Sequence, residues 1–368
     1  MARPNGQIII DADSHVEEAD DVWNHLDPAY AHRRPVIVQH PGLPGPYAQD
    51  AYWLIDGQMF PRPYGYGPLI YGTPVSSKFA KSKKFSIESQ TVVPPSARIA
   101  DMDKMGVDIQ AVSISPYQYY YWAEAEIGRE VSKTINDDLA GAVGAKSDRL
   151  VGLGTVPLQN TEMAIAELER CINELGFKGI EINSQVAGED LSSPRLAPFW
   201  AKAEELDIVV FIHTAGFTHP DRLADHYFIN LIGHPIEATL AISRLIFDGV
   251  MERHPGLKVV VAHGGGYLPA YSGRMDHAYR ARKDVREGLP DLPSDYLKRF
   301  YFDTMVFEPD QLEYLIKKYG ADHILLGTDY PYDMGESDPV GLVNRVEGLT
   351  EHDCSAICGG NAAKLLNI

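Results

Sequence analysis

Acids and histidines stand where short apolar runs end along this sequence. The text QIIIDADSH places Asp11, Asp13 and His15 at the first such end, and GIEIN carries Glu181 and Asn183. VVFIH ends in His213 and KVVVAH in His263, while FYFDT holds Asp303 and ILLGTD ends in Asp329. Neutral imidazole and carboxylate are the ligands of a borderline divalent ion such as Zn²⁺, with one position left for water. A lone histidine at a strand end is usually a structural residue. Separate runs each ending in His or Asp reverse that expectation. In Asp13-Ser14-His15 the one-residue gap puts both side chains on one side of an extended chain. The three glycines after His263 let backbone approach a ligand closely. Glu181 and Asp303 could stand behind the ligands or be charges at the rim. His25, His32, His40, His219, His226, His234, His254, His277, His323 and His352 lack this placement and read mostly as surface or loop residues. Cys354 and Cys358 have no partner ligands nearby in sequence and read as structural.

Residues scattered this widely need elements that bring their ends together. The runs lie at 7–13, 109–115, 150–156, 179–183, 209–213, 258–263, 300–304 and 324–329. Near-continuous Val/Ile text suits strands buried on both faces of a parallel sheet. Amphipathic segments separate them, among them 161–175, with Asn160 as a cap and Gly176 just past its end, and 309–319. Eight strands alternating with helices predict a (β/α)₈ TIM barrel, whose chemistry sits at the C-terminal strand ends. An open doubly wound sheet is the other possibility, but no G-x-G-x-x-G follows any strand.

The stretch from about 33 to 95 is different: Pro- and Tyr-rich text such as PRPYGYGPLIYGTP, with no helical period. Its proline density argues against central strands. It reads as an insertion after strand 1, either a substrate lid over the barrel mouth or a surface excursion or oligomer contact. Residues 351–368 read as one or two short helices closing the barrel. A barrel of about 250 residues plus this insertion accounts for all 368 residues as one domain.

Composition narrows the partners. The chain is 45% hydrophobic and 23% charged, with 51 acidic against 33 basic residues and a net charge of −18. An acidic surface disfavours nucleic acid and anionic membranes, which need basic footprints. The start, MARPNGQIIID, is too short in apolar residues for a signal peptide. Three cysteines imply no disulfide framework. A cytoplasmic enzyme is expected.

Four stretches carry a family likeness: RIADMDKMGVDIQAVSISP (98–116), IGHPIEATLAISRLIFDGVMERHPGLKVVVAHGGGYLPAYSGR (232–274), ILLGTDYPY (324–332) and GGNAAKLLNI (359–368). Together with the first strand they resemble the amidohydrolase superfamily. Within it they resemble the branch of 2-amino-3-carboxymuconate-6-semialdehyde decarboxylase and the hydroxybenzoate decarboxylases. The resemblance implies that Asp13, His15, His213 and Asp329 bind one metal ion, and that His263 activates water or handles protons. It implies that Arg274 holds a substrate carboxylate across a homodimer interface, and that Tyr332 faces the pocket. Two departures stand out. Asp13 replaces a histidine of the carboxymuconate enzyme, and a harder ligand makes Mn²⁺ a credible alternative to Zn²⁺. That enzyme's second substrate-binding arginine has no clear match; Ser86 falls near its place, with Lys83 and Lys84 nearby.

The activity implied is metal-dependent, non-oxidative decarboxylation of a small unsaturated or aromatic acid, with His263 or Asp329 delivering the proton. The alternative is a hydrolase or hydratase in which a metal-activated water attacks a small cyclic or carbonyl substrate. A barrel that has lost catalysis would show a broken ligand set, and this one is complete.

Overall fold

The computed structural model describes residues 7–16, 22–39, 51–55, 57–61, 95–218, 222–223, 226–332 and 334–368. Eight parallel strands follow one another around a single sheet in chain order. They are β1 (Ile10–Val16), β2 (Ile109–Ile114), β3 (Leu150–Gly154), β4 (Gly179–Ile182), β5 (Val209–Ile212), β6 (Lys258–Val261), β7 (Tyr301–Asp303) and β8 (Ile324–Leu325). The chain beyond β8 returns to β1. Ala12 N–H donates to the Leu326 carbonyl at 2.8 Å and Asp329 N–H to the Asp13 carbonyl at 2.8 Å, and Ser14 bridges Tyr330 in parallel. These bonds close the expected (β/α)₈ barrel.

Helices alternate with the strands: α1 (Pro95–Met105), α2 (Ala125–Ala145), α3 (Thr161–Asn173), α4 (Ala197–Glu205), α5 (His234–Phe247), α6 (Leu268–Ala281) and α7 (Pro309–Tyr319). In α3 the Asn160 side chain accepts the Met163 N–H at 3.0 Å, as its cap position predicts. Ala164, Leu168 and Cys171 form the helix's buried stripe.

The barrel interior is apolar at its amino end. Ile10, Ala12, Ala111, Leu153, Val209, Phe211, Val260 and Leu325 pack there with Ala362, Leu365 and Leu366 of the last helix, α8 (Asn361–Leu366). The C-terminal segment therefore plugs the bottom of the barrel, the closing role expected of it. Gly359 makes the close approach possible, since a Cβ there would lie 2.1 Å from the Ile8 carbonyl oxygen.

Two local features depart from the sequence reading. Within 33–95, strands Val36–Gln39, Ala51–Ile55 and Gln58–Pro61 form an antiparallel sheet with Ala51–Ile55 at its centre. The prolines flank this central strand rather than enter it, so their density did not exclude it. The lid reading of this insertion falls mainly on residues outside those described. In β1 the register against β2 shifts between Asp11 and Ser14. That irregularity changes which residues share a face.

Candidate metal centre and active site

Both Ile10 and Ala12 face the barrel interior, so strict alternation would send Asp13 and His15 outward. The register shift reverses the parity, and both side chains enter the barrel mouth. Asp11 stays outside this group. Its Oδ2 accepts from Gln110 Nε2 at 2.9 Å and from Thr328 Oγ1 at 2.6 Å. Burial pushes its pKa up to about 7, against the pull of those bonds.

Asp13, His15, His213 and Asp329 converge although they come from three separate places on the sheet. One ligand atom from each lies within 4.8 Å of the others, and all four residues are buried. His15 Nε2 stands 3.4 Å from Asp13 Oδ1 and 3.2 Å from Asp329 Oδ1. His213 Nε2 is 3.6 Å from Asp329 Oδ1. Several of these atoms are buried and have no hydrogen-bond partner among the described residues: both Asp13 oxygens, His15 Nε2, both His213 nitrogens and Asp329 Oδ1. Each such orphan costs about 1–3 kcal/mol, a cost that a group binding them together would offset. Two carboxylates and two imidazoles fit a divalent cation.

The residues behind the ligands aim them. His15 Nδ1 donates to the Ile114 carbonyl at 3.1 Å, which leaves the Nε2 lone pair free to point into the cluster. Glu181 stands beside that edge, accepting from Ser113 Oγ at 2.6 Å and from Tyr119 O–H at 2.6 Å. Burial disfavours charge on His15, but Glu181, Asp13 and Asp329 outweigh it and raise its pKa well above normal. The site is electrostatically built to receive positive charge. Beneath it, Arg98 of α1 donates to Gln110 Oε1 at 2.9 Å and to the His15 carbonyl, and lies 4.8 Å from the Tyr330 ring centre.

His263 borders the cluster, with Nε2 3.8 Å from Asp329 Oδ2. Asp303 holds its turn by accepting the N–H groups of His263 at 2.8 Å, Gly264 at 2.7 Å and Met305 at 3.1 Å. Glu181 and Asp303 are therefore buried supports, not rim charges. The glycines after His263 approach protein rather than ligand. A Cβ on Gly264 would lie 2.5 Å from Val306 Cγ1, and one on Gly266 2.2 Å from the Pro235 carbonyl oxygen. His263 and Asp329 both adopt left-handed backbone, at φ 57° and 53°. Such conformations cost about 1–3 kcal/mol each and gather at functional sites.

His263 and Asp329 open onto a cavity of about 610 Å³ with mostly apolar walls, including Leu231, Tyr267, Met305, Val306 and Phe307. Tyr332 reaches the metal cluster from another side. Its ring centre is 5.3 Å from that of His15, and its O–H donates to Ser115 Oγ at 2.7 Å. Arg274 is not brought to the cluster: it lies exposed on α6 and lines no part of this cavity. Ser86, Lys83 and Lys84 lie outside the described residues.

Sequence reasoning missed Ser113, Tyr119, Arg98 and His234. His234 is no surface residue; it is buried, with its ring 5.9 Å from that of His263. Its position in a helical segment rather than at a strand end hid it. Cys171, Cys354 and Cys358 are free thiols, and among the described residues no cysteine joins a metal-type cluster.

A family model described as amidohydrolase matches residues 20–368. The chain belongs to the amidohydrolase family. It is 36% identical over 310 residues to 2-amino-3-carboxymuconate-6-semialdehyde decarboxylase of Dictyostelium discoideum, covering 83% of this chain and 86% of that one. It is 30% identical over 260 residues to gamma-resorcylate decarboxylase of Rhodococcus jostii, covering 64% and 77%. The crystal structure of 5-carboxyvanillate decarboxylase from Sphingomonas paucimobilis superposes with a TM-score of 0.74 at 25% identity, covering 99% and 100%. This member of the amidohydrolase family is thus a metal-dependent carboxy-lyase, as the motifs implied. Among its described residues no helix is long and apolar enough to cross a membrane.

Proposed function

We propose that this amidohydrolase-family protein removes CO₂ from a small aromatic or unsaturated carboxylic acid, as a cytoplasmic homodimer. Asp13, His15, His213 and Asp329 would hold one divalent ion, and His263 would handle the proton. The observation that carries this reading is the buried donor set, without hydrogen-bond partners among the described residues, opening beside His263 onto an apolar cavity. Two imidazoles and two carboxylates suit Zn²⁺ or Mn²⁺, and the second carboxylate inclines the set toward the harder ion. Bound there, the ion supplies Lewis acidity to the substrate oxygens it touches.

The chain's own residues do the rest. In the metal-free fold burial pulls the His263 pKa down, but Asp329 outweighs it and raises it to about 9, so the ring there takes up a proton readily. Placed on the wall of the cavity, it can deliver that proton to the carbon bearing the carboxylate. The new C–H bond uses the proton, and CO₂ leaves. The electron pair of the broken C–C bond restores the substrate's conjugation. The apolar wall holds the substrate ring and limits water, and Tyr332 packs against His15 on the other side of the cluster.

A substrate carboxylate also calls for a cation, yet among the described residues no Lys or Arg lines the cavity. Arg274 is exposed on α6, and the first turn of that helix supplies Pro269 and Ala270 to the same cavity. Exposed Leu231, Tyr267, Phe307 and Tyr314 are all among its lining residues. A second copy packed on this face would cover them and bring its own Arg274 to the site, where guanidinium pairs well with carboxylate. It would also oppose the repulsion between an anionic substrate and a chain of net charge −18. The free thiols are in keeping with a cytoplasmic location.

The test is release of CO₂ from a panel of hydroxybenzoic and unsaturated acids. Chelator-treated protein should lose activity and regain it with Mn²⁺ or Zn²⁺; unchanged activity after stripping would overturn the metal reading. Incorporation of ¹⁸O from water without CO₂ would favour the hydrolase or hydratase instead. Mixing inactive Arg274→Ala and His263→Ala subunits should restore part of the activity, and no recovery would refute sharing between copies.

A further inference from the structure

Tyr119 lies just past the turn Pro116–Gln118 that follows β2, and the mechanism gives it no task. The residue is only 2% exposed, and its ring stacks on Tyr121 with centres 5.4 Å and planes 22° apart. Its single hydroxyl hydrogen lies between two acceptors, Glu181 Oε1 at 2.6 Å and the His213 carbonyl at 3.2 Å. The other Glu181 oxygen accepts from Ser113 Oγ at 2.6 Å, and that Oγ stands 2.9 Å from His15 Nδ1. A chain of contacts therefore runs from the ring of one histidine ligand to the backbone of the other. Its links are Ser113, Glu181 and Tyr119.

The two histidines need such a tie. β1 and β5 stand on opposite sides of the barrel, three strands apart in either direction, so no ladder bond joins them. Their rings nevertheless meet, with centres 4.6 Å and planes 76° apart. Donor atoms free to shift would draw in around whichever ion binds nitrogen and oxygen more strongly. Between Mn²⁺ and Zn²⁺ that is generally Zn²⁺, and a site works against this order through fixed geometry. A phenylalanine at 119 would fill the same space and keep the stack on Tyr121. The hydroxyl alone completes the chain to His213.

We propose that Tyr119 is a positioning residue that fixes the spacing of His15 and His213 through Glu181, and so restrains the intrinsic preference of the site for Zn²⁺ over Mn²⁺. This inference rests on the metal reading of the cluster and adds to it the group that weighs one ion against the other. Tyr119 touches no ion; it acts by holding the groups that aim the ligands.

The experiment measures dissociation constants for Mn²⁺ and for Zn²⁺ on the full chain, by competition with a chelator of known affinity. Parent, Tyr119→Phe and Ser113→Ala proteins are compared. Tyr119→Phe should lose about tenfold in Mn²⁺ affinity and much less in Zn²⁺ affinity, so that the ratio moves about tenfold toward Zn²⁺. A residue that only supported the fold would weaken both ions alike. An unchanged ratio therefore overturns the proposal, whether the two affinities fall together or stay where they were, and so does a shift toward Mn²⁺. Ser113→Ala cuts the same chain between Glu181 and His15 and should move the ratio in the same direction. It decides the matter if the Phe variant fails to fold, and an unmoved ratio there refutes the brace. A parent that binds neither ion would remove the metal reading, and this inference with it. A parent that binds both, with a ratio the variants do not move, would remove the role of Tyr119 alone.

Discussion

At the amino end of the barrel, Ile10, Ala12, Val209, Phe211 and Val260 fill the interior against Leu365 and Leu366. Farther along the barrel, Asp13, His15, His213 and Asp329 converge, with polar atoms that have no hydrogen-bond partner among the described residues. Phe211 and His213 are two residues apart on one inward face, yet one is packed and the other is an orphaned pair of nitrogens. The packed end contributes stability through close packing. The open end gives some of it up, in buried unsatisfied atoms and in left-handed backbone at His263 and Asp329. The difference shows how one scaffold separates holding the fold from doing chemistry.

The comparison is most directly challenged at the open end. Asp329→Asn should lower CO₂ release by about 10²–10⁴-fold, while the melting temperature of the metal-free protein falls only slightly. A large fall in metal-free stability would show that this end also holds the fold. At the packed end, Phe211→Ala should cost about 3–5 kcal/mol in denaturant unfolding. The fraction that folds should still bind one metal ion per chain. Loss of metal stoichiometry there would mean that the two ends are not separable.

A smaller effect probes the support behind the ligands. Glu181→Gln removes the carboxylate beside His15 Nδ1, and metal affinity should fall by about 10–100-fold with little change in secondary structure. Unaltered affinity by metal titration would reduce Glu181 to a packing residue. The smallest effect concerns Asp11, which sits between the two ends. Its pKa in the metal-free fold is raised to about 7 from an ordinary 3.8, chiefly by burial. A raised pKa means that its contribution to stability is complete below 3.8 and is lost as pH climbs to about 7. In chelator, the gap in unfolding free energy between parent and Asp11→Asn should therefore move in the variant's favour from pH 4 to pH 8. A gap independent of pH would contradict the assignment.

Much of this was legible in the chain. Apolar runs alternating with amphipathic segments specify parallel strands and covering helices, because both patterns are short-range consequences of backbone geometry. The termination of those runs in Asp13, His15, His213, His263 and Asp329 was equally visible, since barrel chemistry gathers at one set of strand ends. The small sheet within 33–95 was not, because its central strand lies between prolines that suggested only loops. His234 was not visible either: its neighbours His213 and His263 are 21 and 29 residues away in sequence. Only packing α5 against the barrel joins them.

By itself, then, the sequence determined the residue types, their strand-end positions and the barrel that collects them. Tertiary structure decided which of them share a site. The register shift in β1 turned Asp13 and His15 inward and left Asp11 outside. Closure of β8 onto β1 carried Asp329 to His15. The backbone N–H of Gly216 came to Nε2 of His234. Each outcome depends on hydrogen bonds between distant segments, and such bonds exist only once the barrel has closed.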